Sequence, residues 1–100
     1  MAICLIQDFP PEQGGPELYD AVNEKLGFPE NPVDGLLAHS AGQGPNGWRI
    51  VDFWESREHA DRFFQDRLFP VIREVTGRDP MEGPPPQTRE WELHNVYPSG

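Results

Sequence analysis

The chain has 100 residues, of which seventeen are acidic and eight are basic, giving a formal net charge of −9. This length fits one domain. Hydrophobic residues make up 36% of the chain, which supports a packed core rather than intrinsic disorder. The acidic excess would repel a phosphate backbone, so nucleic acid and anionic membranes are excluded as expected partners. No apolar run approaches the roughly 20 residues of a membrane span, and residues 1–9 lack the basic start of a secretory signal. These features predict a cytoplasmic domain.

The first part of the chain predicts a strand, a helix and a second strand. Residues 2–6 are apolar and β-branched, which is typical of a strand buried on both faces, and Cys4 within them is predicted to be a small buried hydrophobe. A helix is predicted from about Pro16, a favoured first helical residue, to Leu26, just before Gly27. Its apolar residues recur at three- and four-residue intervals. Residues 36–41 predict the second strand.

The middle of the chain predicts a hairpin. Residues 42–47 contain three glycines, a proline and an asparagine, which is the composition of a turn. Residues 48–54 are rich in aromatic and β-branched side chains and predict the third strand.

A second helix is predicted after Ser56, a favoured N-cap residue, with an apolar face that reaches Val75. Pro70 removes a backbone donor, so we expect this helix to kink or restart near Phe69. Residues 79–87 form a proline-rich extended connector, and the alternating residues 88–97 predict a last strand at a sheet edge.

This order of elements predicts a ferredoxin-like α+β fold. Two strand-helix-strand halves with right-handed crossovers give a four-stranded antiparallel sheet of order 4-1-3-2, with both helices on one face. The third strand is apolar on both faces, with Val51 and Phe53 on one and Ile50 and Trp54 on the other. The face without helices therefore needs a cover, and the same face of a second copy provides one. We expect a homodimer.

Residues 47–56, Gly-Trp-Arg-Ile-Val-Asp-Phe-Trp-Glu-Ser, and residues 57–63 after them resemble the third strand and second helix of the dimeric α+β barrel proteins. Within that superfamily they are most similar to the antibiotic-biosynthesis-monooxygenase-like group. The resemblance implies a ligand cavity in each protomer, lined by the third strand and the second helix. Some members oxidise polycyclic aromatic compounds without a cofactor, and others degrade haem.

The haem-degrading members carry a ligating histidine about nineteen residues after the tryptophan that ends the third strand. Counted from Trp54, that position is Arg73, which does not ligate iron as histidine does. The resemblance therefore disfavours haem degradation, and we expect no cofactor.

Asp52 and His39 are the candidate catalytic residues. Asp52 lies two residues from Trp54, so both side chains are expected on one face of the third strand. If that face meets the helices, Asp52 is a carboxylate in an apolar cavity, which suits it to proton transfer. The alternatives are an ion pair with an arginine, such as Arg49 or Arg89, and a solvated strand end.

His39 lies on the strand that the hairpin pairs with the third strand, where Asp52 would orient its imidazole as a general base. A slip of one residue would move His39 to the other face, and the alternative is a structural or dimer-interface histidine. His94 belongs to the opposite sheet edge, out of reach of His39, while His59 and Glu55 supply too few ligands. No metal site is predicted.

Tyr19 and Phe63 are candidate walls of the cavity, and Trp54 offers a flat ring on which a planar ligand would stack; core packing is the alternative for all three. The sequence thus favours a small-molecule-binding protein whose His39 or Asp52 removes a proton from a flat, partly apolar carbonyl compound. Such an enzyme would be a cofactor-independent monooxygenase, isomerase or cyclase. The alternative is a non-catalytic dimeric binding or accessory protein.

Overall fold

The computed structural model describes residues 2–10, 15–27, 30, 32–45, 47–79 and 87–95. The strands are β1 (Ile3–Phe9), β2 (Leu36–Gly44), β3 (Gly47–Trp54) and β4 (Gln87–Glu92). The helices are α1 (Pro16–Leu26), α2 (Arg57–Phe63) and α3 (Phe69–Thr76), and a π-helical turn (Phe64–Leu68) joins α2 to α3. None of the described helices is long and apolar enough to cross a membrane.

The four strands form one antiparallel sheet of order β2-β3-β1-β4, which confirms the predicted strand order and the ferredoxin-like fold. Ile3 lies opposite Trp54 and Leu5 opposite Asp52, so these four side chains share one face. The helices cover this face, since Ala60 of α2 packs in the same core. The other face, which we call the bare face, carries the intervening residues of each strand.

Local sequence signals set the ends of the helices. Pro16 begins α1, and Gly27 ends it in a left-handed conformation (φ +83°) with its N–H donating to the carbonyl of Asn23. Ser56 caps α2, its hydroxyl accepting a hydrogen bond from the backbone N–H of His59 at 3.2 Å. These ends agree with the sequence analysis.

The second helical region restarts at Phe69, as Pro70 predicts, but a π-helical turn precedes the restart. The N–H of Phe69 donates to the carbonyl of Phe64, five residues back. Because Pro70 has no N–H, the regular ladder is interrupted here, and the wider turn absorbs the interruption. One predicted helix is thus three consecutive segments.

Several strand bounds differ from the predicted ones. β1 continues to Phe9, and β2 continues to Gly44, which shortens the predicted turn. β4 begins at Gln87 and ends at Glu92, before the predicted residue 97; residues 96 and 97 lie outside the described residues, as do residues 80–86 of the connector. Cys4 is buried as predicted, and its burial raises the pKa of the thiol, with the charge of Asp52 adding to the effect.

An aromatic core joins the sheet to α2. Its buried members are Ile3, Leu5, Trp54 and Ala60, and the partly buried residues packed against them are Val33, Leu36, Phe63 and Phe64. The ring of Trp54 has no exposed surface and lies 5.6 Å from that of Phe63 and 6.2 Å from that of Phe64 between centroids. This packing fixes the end of β3 against the helices.

Gly47 allows the close approach of the hairpin to β1. Its φ is +136°, and a Cβ at this position would lie 2.2 Å from the carbonyl oxygen of Phe9. We predict that Gly47→Ala lowers the free energy of unfolding by about 2 kcal/mol or more, because both the backbone conformation and the contact become strained. Gly42→Ala is the control, since its Cβ would meet nothing within 4 Å. Urea unfolding of both variants measures the difference, and equal losses would contradict this account.

Candidate functional site

Three side chains from three elements form one hydrogen-bonded chain on the helix-covered face. His39 of β2 lies opposite Asp52 of β3, and its Nδ1 is 2.5 Å from Oδ1 of Asp52. The hydroxyl of Tyr19, which α1 supplies, is hydrogen-bonded to Nε2 of His39. The structure therefore brings together three of the five predicted site residues, and both nitrogens of the imidazole are engaged.

A bulge in β2 sets the register that brings His39 to Asp52. Leu36 pairs with Trp54, but Ala38 pairs with Phe53, so the register shifts by one residue between them. Without this shift His39 would lie opposite Val51 and point to the bare face. Neither Gly nor Pro marks this bulge, so the residue types at 36–38 did not predict it.

Asp52 is buried, with 8% of its side chain exposed, while 28% of the His39 side chain is exposed. The alternative partners of Asp52, Arg49 and Arg89, both bind Asp8 instead, at 2.6 and 3.1 Å on the bare face. The hydrogen bond from Arg49 lowers the pKa of the Asp8 carboxyl. His39 is thus the side chain that hydrogen-bonds the buried Asp52 carboxylate.

Tyr19 lies between the imidazole and an indole. Its ring is parallel to that of His39 within 5°, with centroids 5.7 Å apart, and the hydrogen bond joins the two rings at their edges. On another side it packs against Trp48 at 5.6 Å and an angle of 53°. Trp48 thereby holds the phenol ring while the hydroxyl stays on His39.

Trp54 and Phe63 belong to the neighbouring aromatic core, where ring packing fills the space that the resemblance assigned to a cavity between β3 and α2. Trp54 lies on the same strand face as Asp52, two residues away. Its Nε1–H is buried and has no hydrogen-bond partner among the described residues. Such a donor costs roughly 1–3 kcal/mol when it stays unpaired.

Two concave regions lie away from the Tyr19–His39–Asp52 chain. One, of about 200 Å³, lies beside Phe63, and its lining includes Asp34, His59 and Arg62. The other is an open depression of about 1020 Å³ on the bare face near the hairpin, with Arg49 in its wall. Within the described residues no three His, Cys, Asp or Glu side chains converge as metal ligands.

The hydrogen bonds fix the tautomer of neutral His39. A carboxylate only accepts, so Nδ1 must donate to Asp52 and Nε2 must accept from Tyr19. We predict that two-bond ¹H–¹⁵N NMR spectra show His39 protonated at Nδ1, and that Asp52→Leu, which removes the acceptor, abolishes this preference. His94, which is exposed, serves as the internal reference. A proton on Nε2 in the unchanged protein would contradict the geometry.

No protein-family model matches the sequence, and no curated protein matches it. Among solved structures, the fold is similar to a putative antibiotic biosynthesis monooxygenase from Chloroflexus aurantiacus, with a TM-score of 0.65, 16% identity and 100% of both chains covered. It is also similar to SnoaB, a cofactor-independent oxygenase from Streptomyces nogalater, with a TM-score of 0.63, 13% identity and 98% of both chains covered.

A third similar structure is a dimeric ferredoxin-like protein from Jannaschia sp., with a TM-score of 0.52 and 11% identity over 92% of this chain and 98% of that one. At these identities the likeness establishes the fold. The chain therefore has the ferredoxin-like α+β fold that these structures share.

Proposed function

We propose that the protein is a cytoplasmic homodimeric enzyme that removes a proton from a flat, partly apolar carbonyl compound without a metal or an organic cofactor. The observation that carries the proposal is the hydrogen bond between His39 and the buried Asp52. The reaction of the deprotonated substrate would then decide whether the enzyme is a monooxygenase, an isomerase or a cyclase.

The pair has the geometry of a general base and the group that orients it. Asp52 holds the proton of His39 on Nδ1, which leaves the lone pair on Nε2, and it stabilises the imidazolium that forms when a proton arrives. Because Asp52 is 6% exposed, the surroundings screen its charge weakly. Hydrogens on a carbon next to a carbonyl group are the C–H bonds acidic enough for such a base.

Trp54 supports the choice of a carbonyl substrate. Its buried Nε1–H has no partner among the described residues, and a carbonyl oxygen is a suitable acceptor. Since Trp54 has no exposed surface, Phe63 or Phe64 would have to move for a substrate to reach this donor. The hydrogen bond would then stabilise the negative charge that develops on the carbonyl oxygen as the proton leaves. In this proposal the rings of Tyr19 and Phe63 contact the substrate as apolar walls, which is consistent with a flat molecule.

The structural likeness to a cofactor-independent oxygenase agrees with chemistry that needs only the substrate and a base. In an oxygenation, the carbanion formed by His39 would react with dioxygen, which is then the oxidant. In an isomerisation, the same carbanion would recover a proton at another carbon. Both reactions share the first step, so that step is the one to measure.

A second candidate is a non-catalytic dimeric binding or accessory protein. The observation that favours it is the packing of Phe63 and Phe64 on Trp54, which fills the interior beside β3. In this case the hydrogen bond between His39 and Asp52 would serve only to hold β2 against β3.

Exchange of the α-hydrogens of 2-tetralone, a flat bicyclic ketone, tests proton removal. In D₂O at neutral pH we expect the protein to accelerate deuterium incorporation, followed by ¹H NMR. His39→Ala should lower the rate by about 100-fold or more, the usual contribution of a general base, and Asp52→Asn by at least about tenfold. Because Asp52→Asn preserves the size of the side chain, a lower exchange rate in this variant would report the loss of the carboxylate charge.

The matched controls are His94→Ala and Asp20→Asn, which change exposed residues of the same types and should leave the rate unchanged. Thermal shifts with a panel of carbonyl metabolites measure binding independently. Binding that survives in the site variants without any exchange would favour the accessory protein.

The bare face supports the homodimer. Ile6 and Val51 are directly opposite each other at its centre, Phe53 lies beside them, and Trp91 is 48% exposed on β4. Apolar side chains in this arrangement favour contact with a second sheet. The dimeric state of a protein of the same fold agrees with this assignment.

We predict that Val51→Arg converts the protein from a dimer to a monomer of 11.4 kDa, measured by light scattering after size-exclusion chromatography, because the charge would be buried unpaired. Gln65→Arg adds the same charge at an exposed position of the helical side and should leave the dimer intact. A monomer in the unchanged protein, or a dimer in both variants, would rule out the bare face as the interface.

A further inference from the structure

We infer that Tyr19 is the residue that exchanges the proton with the substrate, and that His39 and Asp52 act through its hydroxyl. The inference rests on the proposed function and changes one role in it. Tyr19, which the sequence suggested as a wall, becomes the catalytic residue.

The first argument is the occupancy of the imidazole. Nδ1 of His39 donates to Asp52, so Nε2 is an acceptor, and the hydroxyl of Tyr19 donates to it. The lone pair that would act as a base therefore points at the phenolic hydrogen. A C–H bond of a substrate reaches Nε2 directly only if it displaces Tyr19.

The second argument is the order of the three groups. Asp52 is the buried end of the hydrogen-bonded chain, with 8% of its side chain exposed. Tyr19 is the other end, half-buried on the first turns of α1. The contact with Trp48 holds its ring in place. His39 between them is itself exposed, but its Nε2 is occupied by the hydrogen bond with Tyr19, so the phenolic oxygen is the basic atom that a substrate meets without breaking this hydrogen bond.

The proposed step balances as two linked proton transfers. The phenolic oxygen of Tyr19 takes the proton from the substrate carbon while its own proton passes to Nε2 of His39. The C–H electron pair stays on the substrate as an enolate, and the imidazolium is balanced by the carboxylate of Asp52. We write the transfers as concerted because a phenol releases its proton less readily than an imidazolium does. Return of the proton by the same path regenerates all three residues.

A structural role for Tyr19 makes a different prediction. If the phenol only anchored α1 to β2, its ring packing on Trp48 would carry most of that role. Tyr19→Phe keeps the ring and removes only the hydroxyl, so it separates the two roles. A purely structural role would shift the urea midpoint and leave the exchange rate nearly unchanged.

With 2-tetralone in D₂O, we expect Tyr19→Phe to lose about 100-fold or more of the exchange rate, as His39→Ala does, while its circular dichroism spectrum stays that of the unchanged protein. Exchange within threefold of the unchanged protein in Tyr19→Phe, together with its loss in His39→Ala, would overturn the inference and leave the proposed function standing. Absence of exchange in the unchanged protein would count against the proposed function alone.

A second measurement, with p-nitrophenyl acetate, needs no substrate of the proposed reaction. An activated Tyr19 attacks the ester carbonyl, its proton passes to His39, p-nitrophenolate leaves, and an acetyl group remains on the phenolic oxygen. Peptide mass spectrometry should show Tyr19 acetylated at least about tenfold faster than Tyr97, the other tyrosine of the chain. In His39→Ala, the acetylation rate of Tyr19 should fall to that of Tyr97. Equal rates at both tyrosines, unaffected by His39→Ala, would overturn the inference.

Discussion

The register shift of one residue in β2 determines which side chains meet at the candidate site. A strand alternates its side chains between two faces, so a single extra residue moves everything after it to the opposite face. The bulge between Leu36 and Ala38 moves His39 from the bare face to the helix-covered face, opposite Asp52. The Tyr19–His39–Asp52 chain depends on it, because α1 approaches the sheet only from that side. A bulge beside a functional site is a known way of redirecting one side chain.

The architecture could be predicted because it follows from periodicity and from residues with fixed conformational preferences. Pro16 and Gly27 mark the ends of a helix, and the apolar strands and the hairpin determine the order of the sheet. Pro70 marked the restart of the last helix, while the π-helical turn before it depends on which carbonyl accepts from Phe69, a choice made by packing. Local signals therefore predicted the elements and the outer ends of the helical regions, while most strand ends differ from the prediction by one to five residues.

The site was less accessible to sequence reasoning. Asp52 and Trp54 could be placed on one face from their spacing alone, but the pairing of His39 required a register that turn composition does not fix. The hydrogen bond of Tyr19 required the position of α1 over the sheet, which is a tertiary property. The same limit applies to the ion pairs of Asp8. Arg49 and Arg89 both bind this carboxylate, so neither of these alternative partners is paired with Asp52.

The proposed dimer has to form between two acidic molecules, and the bare face carries less negative charge than the sequence as a whole. Two copies of a chain with net charge −9 repel each other at a distance. At the bare face, however, two arginines share the single carboxylate of Asp8, while Glu90 and Glu92 lie on the other face of β4. The local charge of this cluster is therefore positive in an otherwise acidic molecule. A second copy on this face would meet apolar side chains and this small positive cluster, rather than the acidic side chains that give the molecule its negative charge.

The buried indole of Trp54 has a polar atom that the packing of the core does not use. A core that served stability alone would place a residue without a polar atom at this position, because an unpaired Nε1–H lowers the stability that the aromatic packing provides. The donor belongs to a residue two positions from Asp52 on the same strand face, beside the carboxylate end of the hydrogen-bonded chain. A proton acceptor and a hydrogen-bond donor on one face are the two groups that enolate formation needs. Because Trp54 has no exposed surface, a ligand would reach this donor only if Phe63 or Phe64 moved away from the indole ring.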